Sequence, residues 1–213
     1  MPKFPIVPAR TAMLFFDCLE GFLRPEDPAA RAAVEQSGAI PKMQEIERAC
    51  RARGIPIFYT QIDHRPDLKD IAPIIADDPS LGERRGPREP VVVQATEATP
   101  GTWKMEILKE IAPQANDYVI RKQRWSAFYE TNFFLHLRRN SIDTLMIAGG
   151  NTEVGVTSTA YSARDRDINT IILKDACLSQ RPGLHELMSE RLLPMFTRVM
   201  SVAEAIALFA EPA

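Results

Sequence analysis

The first strand-like run in this chain is continuous in apolar residues, which predicts a strand that is covered on both faces. Six runs of strand length are spaced along the chain. In chain order they are TAMLFFD, which ends at Asp17, IPIFYTQ, which begins at Ile55, DYVIRK, which ends at Lys122, TLMIAGG, NTIILKDA and FTRVMS.

Amphipathic segments with helical spacing separate these runs. The longest, AARAAVEQSGAIPKMQEIERACRARG, is expected to break near Gly38 and Pro41 and to stop at Gly54. The others are the short MEILKEIAP, TNFFLHLRRN with Asn140 as a cap, TEVGVTSTAYSARDRD, GLHELMSERLLP and VAEAIALFA. Residues 63–100 are rich in Pro, Gly and charge, which predicts a long loop of the kind that often forms a lid or a binding segment.

Strands that alternate with helices imply parallel βαβ units, because parallel neighbours need a crossover connection. The predicted fold is therefore α/β, with an open doubly wound sheet and helices on both faces. Ligands in such sheets bind beyond the carboxyl ends of the strands. The residues to weigh are Asp17, Gln61, Lys122 and the stretch GGNTEVGVTSTA from Gly149 to Ala160.

Composition narrows the class of protein. The 213 residues are 45% hydrophobic and 25% charged, as in a soluble globular domain, and a net charge of -2 gives no reason to expect nucleic acid as a partner. Three widely spaced cysteines without CxxC spacing favour reduced thiols and a cytoplasmic location. Neither a signal peptide at the N-terminus nor an apolar run long enough for a bilayer is expected.

Two strand ends carry candidate chemistry. Asp17 follows Met, Leu and Phe, so it is either a functional carboxyl group at the edge of an apolar layer or a cap for the next turn. Lys122 opens KQRWSAF, in which Trp125 and Phe128 could form apolar walls and Ser126 could fix the turn. A lysine at a strand end is more often simply solvated.

The turn from Gly149 to Thr159 is built like an active site but contains no cysteine. Its glycines allow close approach of a ligand, and the following helix directs N-terminal NH groups at the crevice. Gly155 lies in the first helical turn, where glycine costs up to about 1 kcal/mol relative to alanine, and room for a substrate could offset that cost. His64, His136 and His185 do not make a metal site, and no metal or cofactor is expected. Cys18 and Cys177 are expected to be buried or to face away from the site.

Taken together, these motifs resemble those of the isochorismatase-like, or cysteine hydrolase, superfamily. The resemblance runs over nearly the whole chain, through the strand to Asp17, YTQ at 59–61, PGTW at 100–103, KQRWSAF at 122–128, GGNTEVGVTSTA and DAC at 175–177. It implies one domain over residues 1–213, a three-layer α/β/α Rossmann-like sandwich with a mostly parallel six-stranded sheet in the order 3-2-1-4-5-6, and a homo-oligomer, either a dimer or a tetramer.

The resemblance also implies roles for single residues. The amidase branch uses Asp, Lys and Cys; Asp17 and Lys122 match the first two, and the Cys position falls on Gly155. True isochorismatases also carry glycine there and use water to cleave an enol ether. By this comparison Asp17 would be the proton donor, Lys122 would bind a carboxylate or stabilise charge, and Gly155 would leave space for a ring or a water. The NH groups of Asn151 and Gly155 would hold an oxygen. The expected substrate-binding residues are Gln61, Trp103, Trp125, Phe128, Asn151 and Thr152.

Two departures from the family pattern matter. Isochorismatases have an aromatic residue and a His in this turn, whereas this chain has Asn151, Thr152 and Glu153, so isochorismate itself is not the expected substrate. Glu153 is either an acid near the pocket mouth or an exposed helix N-terminal residue. In the order 3-2-1-4-5-6, Lys122 lies two strands from Asp17, so its loop is expected to fold back over the sheet.

Three functions remain open at this point. The first is hydrolysis, without a thiol, of a small carboxylated enol ether or related compound. The second is an amidase or ureide hydrolase in which Asp17 activates water. The third is a catalytically silent paralogue that serves as a binding subunit, for which Asp17 and Lys122 should lie too far apart to act together.

Overall fold

The six predicted strands form one sheet in the computed structural model, which describes residues 4–65, 67, 69–70 and 101–209. They are β1 Thr11–Phe16, β2 Ile57–Ile62, β3 Tyr118–Lys122, β4 Thr144–Gly150, β5 Asn169–Leu178 and β6 Arg198–Met200. The order is β3-β2-β1-β4-β5-β6, and every neighbouring pair is parallel, which confirms the predicted topology.

Helices cover both faces of this sheet and complete the three layers. They are α1 Glu20–Leu23, α2 Pro28–Ser37, α3 Ala39–Ala52, α4 Phe133–Arg139, α5 Thr157–Arg164, α6 Leu184–Leu187 and α7 Val202–Ile206. A π-turn, Thr152–Val156, leads directly into α5. No helix in the described ranges is long and apolar enough to cross a membrane.

The central strand β1 explains why the apolar run was a reliable signal. All six of its residues are buried, because β2 and β4 flank it and helices cover both of its faces. Met13 and Phe15 belong to the core beneath α3, whereas Leu14 and Phe16 belong to the core beneath α4 and α5. The alternation sends Phe16 to the same face as α5, and this placement shapes the site.

Two of the predicted helices differ from the structure. Gly38, with a φ of 65°, separates α2 from α3, but Pro41 lies in the first turn of α3 and causes no break, because the NH groups of that turn have no helical partner to lose. The predicted helix MEILKEIAP is wrong. Its Leu108 N donates to Cys18 O at 2.9 Å, and only the single 3₁₀ turn Lys109–Ile111 remains, since the tertiary contact overrides the local preference.

The end of the predicted segment GLHELMSERLLP is also irregular. Helix α6 passes into a π-turn, Met188–Leu192, and then into a 3₁₀ turn, Leu193–Met195. Most of the predicted loop 63–100, including residues 71–100, lies outside the described residues.

Candidate active site

Asp17 stands at the carboxyl end of β1 and is held there by the neighbouring strand. Its φ of 46° ends the strand in the left-handed region, which Asp tolerates better than most residues. Thr60 of β2 fixes this conformation twice: its hydroxyl accepts from Asp17 N at 2.8 Å and donates to Asp17 Oδ1 at 2.7 Å. The carboxylate is therefore oriented by β2, and the residue is only 6% exposed.

Lys122 meets Asp17 directly. Its Nζ lies 2.7 Å from Asp17 Oδ2, also donates to Arg124 O at 3.2 Å, and sits 4.6 Å from the centre of the Phe16 ring. The expectation that the loop after β3 folds back over the sheet is wrong. Lys122 stays in β3, paired with Ile62, and its long flexible side chain spans the width of β2. Lys122 is 5% exposed and Asp17 is 6% exposed, so the two form a buried ion pair rather than two solvated groups.

The pair faces a cavity of about 710 Å³, a volume suited to a small organic ligand. Five of the residues named from the sequence besides the ion pair line it or touch its edge: Trp125, Ser126, Phe128, Asn151 and Gly155. Trp125 is half-exposed at the rim, and Phe128 is buried in the wall. The Gly150–Asn151 peptide bond beside it is cis.

The expected empty space at Gly155 does not exist. An ideal Cβ built on Gly155 would lie 2.0 Å from Phe16 Cε1 and 2.4 Å from Cζ, far inside van der Waals contact. The Phe16 ring therefore packs directly on the glycine. Glycine is required here because the Phe16 side chain of β1 occupies the position that a Cβ would take. The cavity lies beside the ring rather than at the glycine itself.

Three predicted substrate-binding residues do not line the cavity. Gln61 Nε2 donates to Met105 O at 2.8 Å, and Trp103 is 47% exposed with its ring near the Lys104 ammonium. Thr152 is fully buried, with its hydroxyl 3.0 Å from Leu178 O and 2.9 Å from His185 Nδ1.

Glu153 is not the exposed residue that one of its two expectations described. Its side chain is 10% exposed, so it is not a solvated helix N-terminal residue, and it is absent from the described cavity lining. Arg181 Nη1 donates to its Oε1 at 2.8 Å. The pair ties the turn after β4 to the loop after β5.

Sequence reasoning missed one wall of the cavity. Ser158, Ser162 and Arg166 line it beyond Gly155, together with Phe22, His64 and Tyr129. The spacing of Gly155, Ser158, Ser162 and Arg166 places them along one face of a helix. That periodicity was present in the sequence, but small polar residues on a helix do not by themselves signal a binding face.

The native thiols are unsuited to act as nucleophiles. All three cysteines are buried. Burial, with smaller contributions from Cys177 and Asp17, raises the pKa of Cys18 well above its usual value. Burial also raises the pKa of Cys177 to about 12. A thiol that stays protonated is a poor nucleophile. Among the residues that the structure describes, no cluster of three or more His, Cys, Asp or Glu side chains could hold a metal ion.

His185 gives the fold a measurable pH dependence. Burial is the main cause that lowers its pKa, against the opposing carboxylates of Glu186, Glu153 and Glu190. The folded protein thus binds this proton less readily than the unfolded chain, whose histidine titrates near pH 6.5. Stability should fall as the pH drops below about 6.5 and through the lowered folded value. Urea unfolding at pH 7.5 and 5.5 should show a smaller loss for His185→Gln than for the wild type.

The same titration with His136→Gln controls for the loss of a histidine elsewhere. A His185→Gln variant that loses as much stability between the two pH values as the wild type would remove this explanation.

Comparison with known proteins agrees with the architecture. The family model described as the isochorismatase domain matches residues 11–204. The N-carbamoylsarcosine amidase of an Arthrobacter species is 31% identical over 175 residues, which cover 82% of this chain and 62% of the relative. The isochorismatase of Bacillus subtilis is 28% identical over 86% of this chain and 53% of the relative.

A solved structure gives the same result in three dimensions. An isochorismatase-like hydrolase from Alkaliphilus metalliredigens superposes with a TM-score of 0.72 at 28% identity, covering 93% of this chain and 98% of that one. With a family model that matches most of its length, this chain belongs to the isochorismatase family of hydrolases.

Proposed function

We propose that this protein hydrolyses a small carboxylated enol ether, or a related compound, without a covalent enzyme intermediate. The observation that carries the proposal is the buried contact of 2.7 Å between Asp17 and Lys122 at the edge of the cavity. The position that the family resemblance assigns to the thiol nucleophile is Gly155, covered by the Phe16 ring. Water is then the nucleophile, and Asp17 carries the proton.

The proposed reaction begins with proton transfer from the Asp17 carboxyl group to the terminal carbon of the enol ether. Water adds to the resulting oxocarbenium ion, and the proton that it loses returns to Asp17. The hemiketal then collapses to a carbonyl compound and an alcohol. Atoms balance, since one water is consumed for each ether bond cleaved, and Asp17 ends as it began.

Lys122 has a specific task in this scheme. Its ammonium already donates to Asp17 Oδ2 and to Arg124 O, so we assign it to the carboxylate rather than to the substrate. An ammonium at that distance is placed to offset the negative charge that forms on Asp17 as its proton moves to carbon. The NH groups of Asn151 and Gly155, both at the cavity, are proposed to hold a substrate oxygen.

One observation favours a second candidate, hydrolysis of an amide or ureide. Asp17 accepts hydrogen bonds from Thr60 and Lys122, one on each oxygen, which is the arrangement of an ionised carboxylate. In that state it could take a proton from water instead of donating one. The N-carbamoylsarcosine amidase among the relatives supports the same substrate class. The proximity of Asp17 and Lys122 speaks against the silent paralogue, for which wide separation was expected.

A substrate panel separates these candidates. We expect 2-alkoxyacrylates to be hydrolysed and N-carbamoyl amino acids and primary amides to be left intact. In D₂O, the methyl group of the keto product should carry one deuterium from the solvent, because the proton is delivered to carbon. A rate that falls with rising pH indicates proton donation, and a rate that rises indicates a base. Turnover of the carbamoyl compounds alone would replace the first candidate with the second.

Three broader features are proposals that the same observations support. A single domain over residues 1–213 is supported by the sheet, whose strands run from β1 to β6 across the described chain. A cytoplasmic location is supported by three free, buried cysteines. A homo-oligomer, either a dimer or a tetramer, is supported by large apolar side chains left exposed, among them Leu135, Tyr161 and Met195.

A further inference from the structure

One face of helix α5 and the turn after it form a polar wall of the cavity that the proposed chemistry does not use. Ser158, Ser162 and Arg166 follow Gly155 along this face and all line the cavity. Gly155 lies against the Phe16 ring, whose centre is 4.6 Å from the Lys122 ammonium, whereas Arg166 lies beyond the end of α5. The wall therefore leads from the reacting groups to a guanidinium.

Arg166 is held in place but keeps donors available. Its guanidinium lies 5.2 Å from the centre of the Phe128 ring and 5.8 Å from that of Phe134, and its Nη1 donates to Ser162 O at 2.9 Å. Stacking on aromatic rings fixes the plane of the group without using its NH donors. Among the described residues, no carboxylate lies within 4.0 Å of it as an ion-pair partner.

The charges around the cavity are unbalanced. Asp17 is the only acid in its described lining, against the cations Lys122, Arg124 and Arg166. Lys122 is committed to Asp17, and Arg124 Nη1 donates to the main-chain oxygens of Asp70 and Gln123. The excess positive charge favours an anionic ligand, and Arg166 has the donors to bind it.

Ser158 adds a neutral donor to the same wall. The Ser162 hydroxyl is occupied, because it donates to Ser158 O and accepts from Ser126. The Ser158 hydroxyl has no hydrogen-bond partner within the described part of the chain, although it faces the cavity. It lies two helical turns before Arg166 and could donate to the same ligand.

We propose that Arg166 binds a terminal carboxylate of the substrate toward the end of the cavity remote from Asp17, and that the Ser158 hydroxyl, one turn before the Ser162 carbonyl that the guanidinium reaches, donates to the same group. The eight residues of α5 between Gly155 and Arg166 correspond to about 12 Å of helix rise, which the backward lean of the arginine side chain shortens. The substrate is thus an elongated compound with a carboxylate several bonds from the cleaved bond, such as a 2-alkoxyacrylate whose alkoxy chain ends in a second carboxylate. One planar guanidinium and one hydroxyl match the two oxygens of a carboxylate better than the three of a phosphate. The remote position of the cleaved bond rests on the proposed function, but the binding of the carboxylate does not.

The test measures binding without turnover. The probes are 4-phenylbutyrate, the neutral 4-phenylbutan-1-ol and 3-phenylpropyl phosphate, followed through tryptophan emission, because Trp125 lines the cavity. The carboxylate should bind at least about tenfold more tightly than the alcohol, as expected for hydrogen bonds to a charged group. Arg166→Gln should abolish that preference and leave the alcohol affinity unchanged. Arg164→Gln is the matched control, since Arg164 is exposed at the end of the same helix and lies outside the described lining.

If Arg166→Gln fails to fold, Ser158→Ala provides a second variant. It should lower the affinity for the carboxylate by about threefold, the effect of losing one neutral hydrogen bond. Equal affinities for carboxylate and alcohol, equal losses in Arg166→Gln and Arg164→Gln, or tighter binding of the phosphate would overturn the proposal. Asp17→Asn/Lys122→Met separates it from the proposed function, because it removes both members of the ion pair. That double variant should keep the carboxylate preference even if the wild type hydrolyses no enol ether.

Discussion

Replacing Asp17 by Asn should reduce the turnover of any substrate by at least about 10²–10⁴, the range that a positioned acid or base contributes. Asn keeps the size of the side chain and can still accept a hydrogen bond from Thr60, but it can neither donate a proton to carbon nor take one from water. Both enzymatic candidates therefore predict the same loss. Steady-state rates with the best substrate from the panel give the measurement.

Stability has to be separated from catalysis in this experiment. Asp17 and Lys122 are both nearly buried, so removing one partner leaves an uncompensated charge, which typically costs about 3–5 kcal/mol. The variant Asp17→Asn/Lys122→Met removes both charges, and replacing a buried ion pair by uncharged groups is often close to neutral. The double variant should recover most of the free energy of unfolding that Asp17→Asn alone loses.

The same double variant distinguishes the proposed catalytic role of Asp17 from a purely structural one. It should be folded, by circular dichroism and by urea unfolding, and still inactive. A folded Asp17→Asn/Lys122→Met variant that turns over substrate at the wild-type rate would exclude proton transfer by Asp17, whichever bond is cleaved. Recovery of activity in step with stability would instead assign the pair a structural role.

The fold was predictable because its signals are local and repeated. The central strand β1 is a continuous apolar run because both of its faces are covered, whereas the edge strand β3 mixes apolar and charged residues and is buried at only two of its five positions. The helix MEILKEIAP failed because Leu108 bonds to Cys18, a contact between distant parts of the chain that no local pattern encodes. In short segments, tertiary contacts override the local helix preference most easily.

The site was only partly predictable for a related reason. Strand ends identified Asp17 and Lys122, since parallel strands deliver their last residues to one edge of the sheet. What lies between them depends on side-chain reach and packing. Neither the span of Lys122 across β2 nor the position of the Phe16 ring over Gly155 follows from strand order alone. Arg166 was missed because its role depends on Phe128 and Ser162, which hold it at the cavity.

The second large effect concerns the contact between Phe16 and Gly155. A substitution at one of these positions should change the cost in stability of a substitution at the other. Gly155→Cys alone should lower the free energy of unfolding by about 1–3 kcal/mol or more, the usual cost of overpacking, because its Cβ would lie 2.0 Å from the Phe16 ring. Phe16→Val alone should also destabilise, since it leaves a cavity; complete truncation of a buried Phe to Ala costs roughly 3–5 kcal/mol. Together the substitutions should cost less than the sum, as the cysteine side chain occupies the space that the ring leaves.

A double-mutant cycle measures that dependence. Urea unfolding of the wild type, both single variants and Phe16→Val/Gly155→Cys should give a favourable coupling energy of about 0.5–3 kcal/mol, typical of residues in contact. Phe16→Val/Gly155→Ala is the matched control, because it fills the same space without a thiol. Additive effects, or a Gly155→Cys variant as stable as the wild type, would mean that the ring moves aside freely and does not define the site.

The same four variants test whether the Phe16 ring keeps a thiol nucleophile out of the proposed site. If the Phe16 ring is what keeps a nucleophile out, only Phe16→Val/Gly155→Cys should place a thiol beside Asp17 and Lys122, the arrangement that the family resemblance assigns to the amidases. That variant should gain hydrolysis of N-carbamoyl compounds or amides that is lost on alkylation with iodoacetamide, whereas Phe16→Val/Gly155→Ala should gain none. Equal amidase activity in Gly155→Cys with Phe16 intact would show that the ring is no barrier. The choice between water and thiol would then depend on position 155 alone, and not on Phe16.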